Sequence, residues 1–167
     1  MITEDIVSEI DDNLENILDK QLKEKKLTLS LAESCTGGKL ASLFTAIPGC
    51  SSYFKGGVVC YSNEIKERLL GISASLLNTY GAVSQQVVEA MVTGVYRTFQ
   101  TDCAIAVSGI AGPDGGTPEK PVGTVWIAVA YKERVLSQKY QFSQNRESNI
   151  LRACNNGIRM LLEIIDK

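Results

Sequence analysis

The stretch Leu27-Thr-Leu-Ser-Leu-Ala-Glu-Ser-Cys-Thr-Gly-Gly-Lys-Leu-Ala-Ser-Leu-Phe-Thr-Ala-Ile47 changes its hydrophobic period midway, and this change decides the fold. Leucines alternate with smaller side chains from Leu27 to Ala32, which predicts a short strand. From Gly37 to Ile47 the apolar residues recur at helical spacing, until Pro48-Gly49 ends the helix. The residues in between, Glu-Ser-Cys-Thr at 33–36, therefore form a strand-to-helix turn.

The rest of the chain continues this alternation of strands and helices. Strands separated by helices favour a mostly parallel sheet covered on both faces, and a late hairpin turning at Lys132-Glu133 supplies one antiparallel strand. We expect an α/β fold: a three-layer αβα sandwich with a mostly parallel, mixed sheet of about five strands, in a single domain spanning 1–167. The predicted order is αβαβααβββα, with helices at 4–25, 37–47, 62–70, from 84 and at 150–165, and strands at 27–32, 57–61, 103–108, 123–131 and 135–142.

The charge balance argues against nucleic-acid and membrane partners. Seventeen Lys and Arg stand against nineteen Asp and Glu, a formal net charge of -2 without basic runs, which is a poor footprint for duplex nucleic acid. No apolar run approaches the ~20 residues of a membrane span, and the acidic, amphipathic start is unlike a signal peptide. We expect a cytoplasmic protein that binds neither nucleic acid nor membrane; a homo-oligomer is compatible with the sequence.

Histidine is absent from the chain, and this limits its chemistry. Neither a Ser-His-Asp site nor a histidine-ligated zinc site can be built. The five cysteines contain no C-x-x-C pair, so they indicate neither a disulfide framework nor a thiolate metal site. Acid-base chemistry must use Lys, Tyr, Asp, Glu or Cys, and we expect no metal and no organic cofactor.

Three turns at the carboxyl ends of predicted strands carry the least core-like residues, and ligands of open α/β sheets bind there. At the first turn, Ser34 opens a helix whose backbone N–H groups can face a phosphate or an oxyanion. Ser34 is thus a candidate nucleophile, although capping the helix is the commoner role of such a serine.

At the second turn, Tyr61 and Lys66 occupy helix positions whose side chains meet. Lys66 is the best candidate base, the alternative being a solvated lysine beside a core tyrosine.

The third turn, between Gly109 and Pro121, has four glycines and enough bare backbone to approach a ligand closely. It suggests a cradle for phosphate or ribose, but it lacks the dinucleotide and Walker fingerprints, and a plain loop is the alternative. Arg146, near the start of the last helix, is suited to closing on a phosphate, although a surface arginine is the commoner case.

Three strings in the chain resemble the motifs of the CinA C-terminal domain family over about residues 10 to 165. They are Ala-Glu-Ser-Cys-Thr-Gly-Gly at 32–38, Gly-Gly-Val-Val-Cys-Tyr-Ser-Asn at 56–63 and Ser-Gly-Ile-Ala-Gly-Pro-Asp-Gly-Gly-Thr-Pro-Glu-Lys-Pro-Val-Gly-Thr at 108–124, with Gly-Ala-Val-Ser at 81–84 between them. The resemblance implies a nicotinamide-nucleotide amidohydrolase, the activity of stand-alone members, which deamidates nicotinamide mononucleotide in pyridine nucleotide salvage. Longer members carry an additional N-terminal domain, and its activity is not transferred.

The resemblance assigns roles by motif. Ser34 matches the serine nucleophile, and Tyr61 and Lys66 match the tyrosine and lysine that activate it. The implied nucleotide-binding residues are Thr36, Gly37, Gly38, Asn63, Ser108, Gly109, Gly112, Gly115, Gly116 and Arg146. Lys66 would take the Ser34 proton directly or through Tyr61, and N–H groups of the 35–38 turn would hold the oxyanion.

Three alternatives remain open at this point. Cys35 is a rival nucleophile, because a helix N-terminus lowers the pKa of a thiol. A catalytically silent nucleotide-binding or regulatory module would keep the glycine-rich loops without the reaction. A role beside a partner protein in DNA uptake or repair is the weakest of the three, since the sequence shows no basic surface.

Overall fold

The computed structural model describes residues 13–167, so the predicted helical residues 4–12 lie outside the described part. The helices are Leu14–Lys25 (α1), Lys39–Thr45 (α2), Asn63–Leu70 (α3), Ala74–Tyr80 (α4), Gln85–Phe99 (α5) and Arg146–Asp166 (α6), with a 3₁₀ turn at Cys50–Ser52. The strands are Leu29–Glu33 (β1), Phe54–Val59 (β2), Cys103–Gly109 (β3), Thr124–Tyr131 (β4) and Arg134–Gln141 (β5).

The five strands form one sheet in the order β2-β1-β3-β4-β5. β1 pairs in parallel with β2 and with β3, whereas β4 is antiparallel to both β3 and β5. Four strands therefore point one way and β4 alone points the other. This confirms the mostly parallel, mixed sheet, with the hairpin as the source of its antiparallel strand.

Helices cover both faces of the sheet, and the two faces differ in side-chain size. Leucine, isoleucine and valine from alternate strand positions pack into the core beneath α1, α2 and α6, whereas alanines at the intervening positions pack against α5. The small side chains let α5 lie close to the strands, so one face holds a thick core and the other a thin one. The large residues are Leu29, Leu31, Ile105, Val107, Ile127 and Val129, and the small ones are Ala32, Ala104, Ala106, Ala128 and Ala130.

Polar caps and left-handed residues set the ends of several elements. Ser62, Ser84 and Asn145 each accept a backbone N–H in the first turn of α3, α5 and α6, as expected of such N-caps. Lys132 and Glu133 both have positive φ, 48° and 65°, which is the geometry that matches the twist of a two-residue hairpin. The predicted hairpin turn is therefore confirmed.

The prediction of two helices between β2 and β3 is wrong, because α4 lies between the other two. This helix has seven residues, and of them Leu77 alone is fully buried, so it has no hydrophobic stripe to detect. Helix α2 begins at Lys39 rather than Gly37, since Gly37 and Gly38 have φ of +58° and +100° and cannot belong to a right-handed helix. Within residues 13–167, no helix is both long and apolar enough to span a bilayer.

Candidate active site

The predicted site residues gather at one edge of the sheet, where neighbouring parallel strands end. Glu33, the last residue of β1, lies beside Val59 of β2 and Val107 of β3 in the strand register. The turns after β1 and β2, which begin at Ser34 and Cys60, therefore lie side by side, and Ser34 adjoins Ser108, the next-to-last residue of β3. Helix α3, which begins directly after the second turn, brings Lys66 back over the first.

Ser34 and Lys66 are in direct contact. The Lys66 Nζ lies 3.1 Å from Ser34 Oγ, and it donates to the backbone carbonyls of Cys60 at 2.7 Å and of Tyr61 at 3.4 Å. Lys66 is only 1% exposed and Ser34 8%. The two side chains thus form a buried pair that is separated from bulk water.

Burial lowers the pKa of Lys66 from its ordinary value of 10.5, because the ammonium loses its hydration. No carboxylate among residues 13–167 forms an ion pair with it. The Nζ has three oxygens within hydrogen-bonding distance: an ammonium can donate to all three, whereas a neutral amine donates to the two carbonyls and keeps its lone pair for the Ser34 hydroxyl. The contacts therefore suit both forms of the side chain, and burial shifts the balance toward the neutral one.

The hydroxyl of Tyr61 does not take part in this contact. It accepts a hydrogen bond from Arg146 Nη2 at 3.2 Å, while Arg146 Nη1 donates to the carbonyl of Gly112 at 2.7 Å. Tyr61 is 61% exposed, and it reaches Lys66 only through its backbone carbonyl. A proton path from Ser34 to Lys66 through the phenol is therefore not the arrangement seen; Tyr61, Arg146 and Gly112 instead join α6 to two site turns.

Glu33 is a buried residue of the site that the sequence analysis missed. Its carboxylate accepts the N–H of Leu40 at 2.8 Å and of Ala41 at 3.1 Å, and it is 1% exposed. Its backbone carbonyl accepts the N–H of Cys60, whose own carbonyl holds Lys66. Glu33 thus connects α2, the nucleophile turn and the lysine. A carboxylate closing an otherwise apolar strand was the signal that could have revealed it.

The turn after β1 leaves fewer backbone donors free than the sequence suggested. The N–H of Gly37 donates to the Ser34 carbonyl at 3.1 Å, the N–H of Lys39 donates to the Thr36 carbonyl at 2.9 Å, and Glu33 accepts the next two donors of α2. Among the described residues, the N–H groups of Cys35, Thr36 and Gly38 are left without an acceptor. These three donors, rather than the whole turn, are the candidates to face an oxyanion.

Cys35, the rival nucleophile, lies in the hydrophobic core rather than on the site surface. It is 6% exposed, and burial raises the pKa of its thiol from 9.0 to about 12. A thiol with such a pKa is protonated at neutral pH, and the thiolate is the reactive form. The environment of Cys35 therefore favours a packing role.

Several residues of the glycine-rich loop have structural contacts that account for their identity. Ser108 Oγ donates to the Ala82 carbonyl at 2.8 Å. A Cβ on Gly109 would lie 2.6 Å from Val125, and one on Gly112 or Gly116 would meet Val122 at 2.5 or 2.6 Å. These glycines permit close packing of the loop on the strand connection, and their binding role stays a prediction. The binding roles of Gly115 and Asn63 also stay predictions. Gly115 faces open space apart from Ile110, and Asn63 is the exposed first residue of α3.

A groove of about 670 Å³ adjoins the site between the N-terminal ends of α2 and α6. Thr36 Oγ1 is buried there without a hydrogen-bond partner among the described residues. Residues 13–167 contain no cluster of three or more acidic, cysteine or histidine side chains suited to holding a metal ion. The groove is lined by Thr36, Gly37, Gly38, Lys39, Ser42, Arg146, Glu147, Ile150 and Leu151.

The sheet and the buried pair define a class: an α/β protein with a serine–lysine site at the carboxyl ends of its central strands. The CinA C-terminal domain matches residues 11–165, and the chain belongs to this family. Its sheet is that of the family, since the crystal structure of competence damage-inducible protein A (ComA) from Klebsiella pneumoniae superposes with a TM-score of 0.89 at 33% identity, covering 92% of this chain and 96% of that one.

Two relatives differ in how much of their length this chain spans. Nicotinamide-nucleotide amidohydrolase PncC of Enterobacter agglomerans is 54% identical over 133 residues, which are 79% of this chain and 81% of that protein. A CinA-like protein of Flavobacterium psychrophilum is 49% identical over 159 residues, 95% of this chain but only 38% of that protein. The chain thus corresponds to most of the first relative and to a minor part of the second.

Proposed function

We propose that the chain is an amidohydrolase that converts nicotinamide mononucleotide and water to nicotinic acid mononucleotide and ammonia. The observation that carries the proposal is the buried contact between Lys66 Nζ and Ser34 Oγ, 3.1 Å apart. The name of the 54% identical PncC protein, which this chain covers over most of its length, supports the substrate. Hydrolysis of a carboxamide needs a nucleophile, a base and an oxyanion site, and all three have candidates here.

In the first half-reaction, Ser34 Oγ attacks the carboxamide carbon while its proton passes to the Lys66 amine. The carbonyl electrons move onto the oxygen, and N–H groups of Cys35, Thr36 and Gly38 stabilise the resulting oxyanion. When the intermediate collapses, the C–N bond breaks and the Lys66 ammonium gives its proton to the departing nitrogen. Ammonia leaves, and an ester joins the substrate to Ser34.

In the second half-reaction, the neutral Lys66 amine takes a proton from a water molecule that attacks the ester carbon. The bond between that carbon and Ser34 Oγ breaks, and the serine regains its proton from Lys66. One residue therefore serves as base and then acid in each half, as serine-lysine pairs can.

The nucleotide part of the substrate is proposed to lie against the turn at Thr36, Gly37 and Gly38, the loop from Ser108 to Gly116, Asn63 and Arg146. Arg146 supports this placement because it already spans from Gly112 to Tyr61. A planar guanidinium suits the oxygens of a phosphate.

The experiment is ammonia release from nicotinamide mononucleotide by the purified wild type and by Ser34→Ala. Ser75→Ala, an exposed serine of α4, is the matched control, and Cys35→Ala tests the rival nucleophile. We expect Ser34→Ala to lose at least ~10³ of kcat, whereas Cys35→Ala and Ser75→Ala keep most of it. Release should also survive a chelator, since Ser34 and Lys66 provide both the nucleophile and the base.

Two outcomes would contradict the proposal. Loss of activity in Cys35→Ala with retention in Ser34→Ala would move the nucleophile to the thiol. Binding of nicotinamide mononucleotide without ammonia release from the wild type would instead indicate a silent nucleotide-binding module.

A further inference from the structure

The groove between α2 and α6 begins at Thr36, two residues beyond Ser34, and shares Arg146 with the active site. Its volume of about 670 Å³ falls within the range of pockets that hold small molecules. A substrate whose amide lies at Ser34 thus has room to extend its remainder into the groove. The charges that line the groove indicate which chemical groups this part of the substrate carries.

Two cations and one carboxylate line the groove: Lys39, Arg146 and Glu147. The Lys39 ammonium forms no hydrogen bond or ion pair with any residue from 13 to 167. Arg146 uses one N–H of each terminal nitrogen for Gly112 and Tyr61, which leaves further donors of its fork. The walls therefore carry a net positive charge, with donors available to an anion.

Thr36 is an independent indication that a ligand belongs here. Its hydroxyl is buried, with the residue 3% exposed, and finds no partner in the described residues. A buried hydroxyl without a hydrogen bond is costly. A ligand oxygen in the groove would supply the missing partner.

We propose that the groove is the phosphate subsite of the enzyme, with Lys39 as its second cation beside Arg146 and with Thr36 Oγ1 donating to a phosphate oxygen. The inference rests on the proposed function and deepens it. The active site then selects phosphorylated amides. The phosphate of a mononucleotide is held between α2 and α6, whereas the corresponding nucleoside has no phosphate and cannot make this interaction. Lys39 is the residue that no motif indicated.

The test compares Lys39→Gln with Lys55→Gln, which removes the same charge from an exposed position of β2 outside the groove. KM and kcat are measured for nicotinamide mononucleotide and for nicotinamide riboside. Loss of one charged partner of a phosphate should raise KM for the mononucleotide about tenfold in Lys39→Gln. The rise should be at least about fivefold larger than for the riboside, and Lys55→Gln should show neither effect. An equal change for both substrates, or no change, would overturn the inference.

A binding measurement separates this inference from the hydrolytic function. Ribose 5-phosphate is titrated into the wild type, Lys39→Gln and Thr36→Val by calorimetry. Weaker binding in both variants supports the subsite even if no amide is hydrolysed, in which case the proposed reaction alone fails. Binding that is absent from the wild type, or equal in all three proteins, rejects the subsite whatever the activity.

Discussion

Lys66 combines two properties that a lysine rarely has together: it is 1% exposed, and every polar contact of its Nζ is with an uncharged oxygen. An ammonium in such a place lacks the counter-ion that would stabilise it, so burial shifts the balance toward the free amine. In the proposed reaction this balance decides how much enzyme is ready to accept the Ser34 proton at a given pH.

The pH dependence of kcat/KM should report this balance. Only the neutral amine can accept a proton, so activity is lost as the pH falls through the pKa of Lys66. Because that pKa lies below 10.5, the acidic limb should lie below the ordinary lysine range. Lys66→Met should lower kcat/KM by about 10²–10⁴, and its residual activity should lack the limb. A wild-type profile without an acidic limb, or one that persists in Lys66→Met, would contradict Lys66 as the base.

Two parts of the site could be found in the sequence: the motif that contains Ser34, and Lys66, four residues after the Ser62 cap of α3. The absence of histidine also showed that the base must be another residue type. The direction of the Tyr61 hydroxyl could not, because it depends on Arg146, which is 85 positions away in the chain. Glu33 escaped for a similar reason. Its carboxylate is satisfied by two backbone N–H groups, and no side chain in the sequence marks such partners, so the position of Glu33 at the end of an apolar strand was its one signal.

The junction of β1 and α2 shows how one side chain can join two elements. Because Gly37 and Gly38 have left-handed backbone conformations, α2 begins two residues later than the sequence predicts. The Glu33 carboxylate then accepts the N–H groups of Leu40 and Ala41, which have no partner within the helix. The sequence predicted the strand, the turn and the helix at this place. It could not predict the two-residue delay, because the alternation of apolar residues ends before the glycines.

Glu33→Gln should disturb this junction, because an amide offers one oxygen to two N–H groups and turns its own NH₂ toward the second. We expect a loss of about 1.5–3 kcal/mol in the free energy of unfolding and a fall in kcat, since the turn at Ser34 is held by the same contacts. Urea unfolding and steady-state kinetics measure the two effects. Glu67→Gln, an exposed glutamate of α3, is the control and should change neither quantity. If Glu33→Gln also changed neither, the junction would not depend on the carboxylate.

At the scale of the whole molecule, the sheet follows from strand composition, whereas helix α4, which contacts α3 and α5, does not. Buried runs such as Cys103–Gly109 favour central strands, and the late hairpin gave the antiparallel strand. The division into a face of large side chains and a face of alanines can be read from the alternation once the strands are placed. Helix α4 could not be found, because an element with a single fully buried residue has no hydrophobic period.

The substrate is proposed to contact the turn after β1, helices α2, α3 and α6, and the glycine-rich loop at once, so its binding should stabilise the entire domain. Ser34→Ala is suited to this measurement because it should bind nicotinamide mononucleotide without consuming it. At a ligand concentration 100 times the Kd, the free energy of unfolding should rise by about 2.7 kcal/mol. Urea unfolding of Ser34→Ala with and without the ligand measures the increase, and nicotinamide at the same concentration is the control. An unchanged unfolding curve over a wide concentration range would show that the nucleotide does not bind.

The place of β1 in the sheet also determines when the site can first exist during protein synthesis. β1 lies between β2 and β3, and the Ser34 N–H donates to the carbonyl of Val107. A nascent chain that has emerged only as far as α5 has its serine and its lysine but lacks the strand that fixes the serine turn. Arg146 emerges later still. If the proposed reaction is correct, the nascent chain is inert until β3 has joined the sheet and α6 has packed against it, because only then are the serine turn and Arg146 both in place.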